Sequence, residues 1–267
     1  MDTYQGRAQA VIEALAPRGQ VLDSDFERSS RYDIQMMWGE LVGYVTAMTS
    51  KSIRVVAEDL LLHQGWEEAF RRSPAATGMH HAFVGGLLEH TWQMLRCGEA
   101  LLKLPFMAEV LNADLCMFGL MFHDFGKIFE YKSQGGFQRT LQGRLVPHIP
   151  MTGALILESG NKHGIPEVIR DHLMHVVLAH HGKVEWGSPV TMNIPEAGFV
   201  HYIDHLHGDV FGWLQRIERE AKPGDEVIKG WGNELIVERF SAILKRCELE
   251  DTASAGGTAA TGEVVGF

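Results

Sequence analysis

Through most of this 267-residue chain, apolar residues recur three or four positions apart, and no run alternates with the period of two that a half-buried strand requires. That feature points to an all-α fold. The spacing predicts a helix over 32–48, on Met37, Leu41, Tyr44, Val45 and Met48, another over 53–62, and a short one over 66–72 ended by Ser73-Pro74. Further helices are predicted over 83–104, stopped by Pro105, and over 113–123, with Gly126 as a capping glycine. Three more follow: 148–161 closed by Gly164 and Pro166, 167–181 closed by Gly182, and a long one over 196–219. Gln134-Gly135-Gly136 marks a loop or small hairpin. Before Tyr32 there is only a weak helical pattern around 11–15, broken by Pro17 and Gly19. The segment from Asp251, rich in Gly, Ala and Thr, reads as a disordered tail. The chain thus divides into an N-terminal helical extension (1–65), a helical domain (66–250) and a tail (251–267). In all-α folds of this kind, ligand sites lie between facing helices.

Histidine is unevenly placed. Of 14, all but His63 lie between His80 and His207. Surface histidines have no reason to gather in this way, whereas metal ligands do. The positions reinforce the point. His90 lies three residues after Leu87 and four before Met94. His123 follows Cys116 and Leu120, Asp124 follows Met117 and Leu120, His180 follows Leu173, Val176 and Val177, and Asp204 follows Val200 by four. Imidazoles and carboxylates therefore point inward from at least four helices. A buried unpaired carboxylate is costly, and a group of them more so. A bound cation resolves the cost and favours neutral imidazole beside ionised carboxylate. A core histidine hydrogen-bonded without metal would explain any one of these residues but not the set.

The pair His123-Asp124 is informative in itself, because neighbours on a helix point about 100° apart. Both reach one cation only if it sits between them, and the second oxygen of Asp124 can then bridge to another ion.

Composition narrows the partners. The net charge of −10, from 34 acidic against 24 basic residues, disfavours a protein that wraps duplex DNA. It leaves single strands and nucleotides open, since cations can supply positive charge locally. No apolar run approaches the roughly 20 residues of a membrane span, and the N-terminus lacks a signal-peptide plan, so a cytoplasmic protein with no membrane partner is expected. Cys97, Cys116 and Cys247 are too few and scattered for a disulfide framework, and are expected to be small buried thiols.

The order His90, then His123-Asp124, then Asp204 resembles the signature of the HD-domain phosphohydrolase superfamily, and His148 with His180-His181 resembles its two-metal subgroup. Longer runs are similar to the YhaM-type 3′→5′ exoribonucleases: SPAATGMHHAFVGGLLEHT (73–91), LMFHDFGKIFEY (120–131), HHGKVEWGSP (180–189) and HYIDHL (201–206). The similarity spans about residues 66 to 210, and the HHGKVEWGSP run is far more specific than a bare His-Asp pair. Such nucleases usually carry an N-terminal OB-type domain, and no strand-rich segment of that kind stands in this sequence.

The resemblance implies an HD-domain helical bundle that holds two divalent cations. One takes His90, His123, Asp124 and Asp204; the other takes Asp124 as a bridge with His148, His180 and His181. An all-N/O ligand set suits Mn²⁺ first, with Fe, Co, Ni, Zn or Mg as alternatives. The implied activity is 3′→5′ exonucleolytic hydrolysis of single-stranded RNA or DNA by a metal-bridged hydroxide, with no protein nucleophile. The alternatives are a nucleotide phosphohydrolase, a non-catalytic nucleotide-binding module and a di-iron oxygenase.

Around the ligands, Asp124, Lys127 and Lys183 are the candidate catalytic residues. Lys127, Lys183, Trp186 and His81 are candidate substrate contacts, the lysines on phosphate and Trp186 on base or ribose. Helix-end lysines, a packed tryptophan and a capping His80-His81 pair are the competing explanations. His201, His205 and His207 are expected to be solvated, His172 and His175 to lie off the ligand face, and His63 and His163 to be ordinary surface residues. Met36, Met37, Met117 and Met121 fit core packing. A homo-oligomer is compatible with the sequence.

Overall fold

The computed structural model describes residues 2–4, 7–9, 28–76, 81–133, 137–230, 232–239 and 242–243. The weak pattern at 11–15, His80, Cys247, the tail from Asp251 and the side chain of His63 lie outside the described residues. The chain forms two compact units, Met1–Val200 and His201–Phe267.

The first unit contains α1 (Ile34–Ala47), α2 (Lys51–Glu58), α3 (Glu67–Arg72), α4 (Gly86–Leu102), α5 (Pro105–Ala108), α6 (Ala113–Phe122), α7 (Lys127–Glu130), α8 (Leu141–Leu145), α9 (His148–Lys162) and α10 (Glu167–Leu178). A helix α11 (Pro195–Glu220) begins in this unit and continues into the second. Short polar side chains start several of these helices, as the sequence chemistry demands. Asp33, Ser50, Asn112 and Thr140 accept from the backbone N–H groups of Met36, Ile53, Leu115 and Gly143.

Helix α6 is the centre of the unit. It is apolar on nearly every side, with Leu115, Cys116, Phe118, Leu120, Met121 and Phe122 all buried, and it packs against α4 on one flank and α10 on the other. Helix α10 packs in turn against α9. At Gly119 a Cβ would press into Val200 and Val176, so glycine lets the neighbouring helices approach α6 closely.

The fold is mainly helical, as the spacing predicts, and three antiparallel hairpins add to it. Strand β3 (Tyr131–Ser133) pairs with β4 (Phe137–Arg139) at the hairpin marked by Gln134-Gly135-Gly136. Strands β1 (Asp2–Tyr4) with β2 (Arg7–Gln9), and β5 (Val227–Lys229) with β6 (Glu234–Ile236), are too short to leave a period-two signal. Several boundaries also differ from expectation. Helix α2 continues into a π-turn at Asp59–His63. Pro105 both stops α4 and opens α5 from its first turn, where its missing N–H costs nothing. Gly126 is not a left-handed cap: its φ is −62°, and it opens α7. Helix α10 ends at Leu178, which leaves His180 and His181 in the turn before Gly182, whose φ is +80°. Cys116 is buried but Cys97 is exposed, and Met36 faces solvent while Met37 is core. Among the described residues no helix is long and apolar enough to cross a membrane.

The second unit contains the remainder of α11 and the β5–β6 hairpin, with Arg239 paired to Glu218 at 3.1 Å.

Candidate metal centre

Two groups of donor atoms meet at Asp124. Helix α6 ends at Phe122, and His123 and Asp124 occupy the turn that follows, both buried. His90 reaches them from the second turn of α4, where it is also buried. Its Nε2 lies 3.2 Å from Nε2 of His123 and 3.7 Å from Oδ2 of Asp124, and His123 Nε2 lies 3.3 Å from the same oxygen. On the other side, Oδ1 of Asp124 faces Nε2 of His148 at 3.2 Å and Nε2 of His180 at 3.8 Å. His148 opens α9, and its ring lies 5.6 Å from that of His181, which is itself 4.4 Å from His180. Donor atoms of His90, His123 and Asp124 lie within 4.8 Å of one another, and so do those of His148, His180 and His181.

The tautomers are set by local backbone. Nδ1 of His123 lies 3.0 Å from the Leu120 carbonyl, Nδ1 of His180 2.6 Å from that of Val177, and Nδ1 of His181 2.9 Å from that of Trp186. A carbonyl can only accept, so each Nδ1 carries the proton and each Nε2 presents a lone pair to the centre. For His148 the acceptor is Glu130, at 2.7 Å. Its Nε2 is buried, faces the Asp124 carboxylate and makes no hydrogen bond. A lone pair 3.2 Å from a carboxylate oxygen is unfavourable unless a cation lies between them. The nitrogen and oxygen donors, with no thiolate, form a set that fits a hard or borderline divalent ion.

Charge at Asp124 follows the same logic. Burial alone would push its carboxyl up, but the positive charge around it, Lys127 first, outweighs that and holds it well below the ordinary carboxylate range. Lys127 Nζ lies 2.6 Å from Oδ2. The lysine expected to meet phosphate therefore stands at the edge of the centre, salt-bridged to Asp124.

The HHGKVEWGSP run forms one closed turn. Gly182 and Gly187 supply left-handed φ values of +80° and +89°, and Ser188 donates to the carbonyls of Leu178 and Val190. Lys183 Nζ sits 4.4 Å from the centre of the Trp186 ring, which is 46% exposed and so open to a ligand. His81 is buried and adopts φ +59°; its ring lies 5.6 Å from that of His90 and its Nε2 3.3 Å from Gln93. His81 does not cap α4, whose N-cap position is Gly85 and which has no side-chain capping bond. Asp204 belongs to the second unit, on α11.

Other histidines correct the sequence reading. His201 and His207 are buried, at 5% and 4% exposure, rather than solvated, with rings against His205 and Phe211 respectively. His205 is exposed, beside Asp209. His172 and His175 line a cleft with Asp171, Asn193 and Ile194, off the ligand face as expected. His163, though exposed, places Nε2 3.4 Å from the buried Asp59.

Two residues were overlooked. Thr152 accepts from Gly126 N and donates to the His148 carbonyl, each at 2.9 Å, and so ties the His123-Asp124 turn to α9. Glu130 is fully buried; burial raises its carboxyl, but bonds from His148 and the charge of Arg139 bring it below its ordinary value. The available signal was its place inside the LMFHDFGKIFEY run, six residues after Asp124.

A model described as "HD domain" matches residues 87–209, the stretch that runs through α4, α6, α9 and α10. The chain is 35% identical over 225 residues to the 3'-5' exoribonuclease YhaM of Geobacillus sp., covering 83% of this chain and 68% of that protein. It is 35% identical over 240 residues to the protein of the same name from Halalkalibacterium halodurans, covering 87% and 72%. It is 33% identical over 226 residues to that of Shouchella clausii, covering 83% and 69%. No solved structure matches the chain significantly. With a buried histidine and carboxylate centre built largely from the matched stretch, this chain belongs to the HD-domain family of metal-dependent phosphohydrolases, together with its YhaM exoribonuclease relatives.

Proposed function

We propose that the chain is a 3′→5′ exonuclease acting on single-stranded RNA or DNA with two divalent cations, Mn²⁺ foremost, at the centre around Asp124. The observation that carries this reading is the division of the Asp124 carboxylate, Oδ2 toward His90 and His123 and Oδ1 toward His148 and His180. A carboxylate so divided is a bridge between two cation subsites. His181 is assigned to the second of them, with His148 and His180. When bound, such ions activate water and neutralise the oxygens of a phosphodiester in flight.

The protein's own part is positioning. The Nδ1 contacts hold the imidazoles in one tautomer with their lone pairs convergent, so little reorganisation is needed when charge develops. Lys127, at the edge of the centre, is assigned to a phosphate oxygen. Lys183 adds a second positive charge, and Trp186, already under a cation, offers an exposed face on which a terminal base can stack. His81 is assigned to the substrate side of His90. The YhaM relatives are named for exoribonuclease activity, which supports the polymer over a free nucleotide.

The test is a substrate panel on metal-supplied protein: end-labelled single-stranded RNA and DNA, a duplex, and nucleoside mono-, tri- and cyclic phosphates, each with and without chelator. Stepwise shortening from the 3′ end, lost with chelator, is the expected result. Turnover of small nucleotides alone, or tight nucleotide binding with no turnover, would overturn the assignment.

A further inference from the structure

Glu130 is outside the ligand set, yet it is 0% exposed. A buried carboxylate must be matched or it destabilises the fold. Its Oε2 accepts twice from one residue, from the backbone N–H of His148 at 2.9 Å and from Nδ1 of the same histidine at 2.7 Å. Its Oε1 is balanced by the Arg139 guanidinium at 2.8 Å. The surrounding backbone is packed closely enough to hold this arrangement still. A Cβ at Gly143 would lie 2.6 Å from the Glu130 carbonyl oxygen and 2.7 Å from its Cα, and Thr140 N donates to that carbonyl at 2.9 Å. With two bonds to one carboxylate oxygen, the His148 ring has one orientation left, and it aims Nε2 at Asp124 Oδ1.

The geometry points to Glu130 as the positioning residue of the second cation subsite, acting through His148 on the affinity of that subsite alone. His123, His180 and His181 set their Nδ1 protons on neutral main-chain carbonyls. His148 uses an ionised acceptor, which orients the ring and also makes its Nε2 a stronger donor to a cation. This inference rests on the two-cation reading and deepens it, because it makes the two subsites unequal.

The experiment is calorimetric titration of the full metal-stripped chain with Mn²⁺, and spectroscopic titration with Co²⁺, for wild type, Glu130→Ala and Glu130→Gln. Wild type is expected to bind two ions. In Glu130→Ala the weaker step should fall by about 10- to 100-fold while the other stays within error. Glu130→Gln keeps the shape and one acceptor oxygen without the charge, and should fall between the two; it also serves if the alanine variant does not fold. The Co²⁺ absorption belonging to the affected step should change in both variants. A purely structural Glu130 would lower Tm and leave both affinities and both spectra as in wild type, which would overturn the proposal. A wild type that binds a single ion would instead overturn the two-cation reading itself.

Discussion

Single side chains decide the chemistry here, and Asp124 decides most of it. Its carboxylate is kept ionised in the interior by the positive charge around it, Lys127 first, against the pull of burial. Lys127 touches this carboxylate without belonging to the nitrogen and oxygen donor groups, so Lys127→Met should lower kcat by about 100-fold and leave metal content intact, as elemental analysis beside steady-state kinetics would show. A second buried acid makes a pH prediction. Asp59 accepts from Lys162 at 2.7 Å and Gln64 at 3.3 Å, with His163 near. Burial raises its carboxyl, but Lys162, Ser159 and His163 bring it below the ordinary value. Its stabilising contribution is therefore fully present above about pH 4, where the unfolded chain is also ionised, and is lost as pH falls through the lower native value. Urea melts should find Asp59→Asn less stable than wild type by about 1–3 kcal/mol at pH 7, with the gap closing below pH 4. At this scale the ligands were legible because imidazoles and acids fell on inward positions of apolar helices. Glu130 was not, because one glutamate in a four-residue helix carries no periodicity and reads as a solvated group until His148 is folded against it.

Elements succeed or fail on where they stop. The helical spacing located the main helices from α1 to α11, since each buries an apolar stripe and the period survives from sequence to structure. Ends were less legible. His123-Asp124 and His180-His181 were read as helical, yet each pair sits in the turn just past a helix. A turn there is what allows consecutive residues to contribute donors to one centre while their Nδ1 atoms reach back to the carbonyls of the last helical turn. Gly126 was read as a cap because caps are the commonest use of glycine. Its real reason is non-local: a Cβ there would lie 2.4 Å from the His148 carbonyl oxygen and 2.9 Å from its Cα. Those are backbone atoms that cannot swing aside. Gly126→Ala should therefore cost about 1–3 kcal/mol in chemical denaturation and weaken metal binding as well. The same substitution at Gly164, whose Cβ would meet nothing within 4 Å, would cost only the strain of its φ of +62° and leave metal binding unchanged.

At the level of the first unit, a central apolar helix, α6, delivers the His-Asp turn to a centre that receives His90 from α4, His148 from the start of α9 and His180 with His181 from the turn after α10. Family membership follows from that pattern and from identity to the YhaM proteins over more than four-fifths of the chain. The fold class could be read from the sequence, and so could the inward placing of His90, His123, Asp124 and His180, because burial of so many ionisable groups has one economical physical explanation; His148 and His181 were marked only by the family resemblance. The hairpins β1–β2 and β5–β6 could not, being three-residue strands below the length at which alternation is visible. The same explanation makes the molecule's central claim directly measurable. Crystals of the chain grown with Mn²⁺ and recorded near the manganese absorption edge should show two anomalous peaks flanking the Asp124 carboxylate, one against His90 and His123 and one against His148, His180 and His181. A single peak, or peaks away from Asp124, would contradict the bridged two-cation centre.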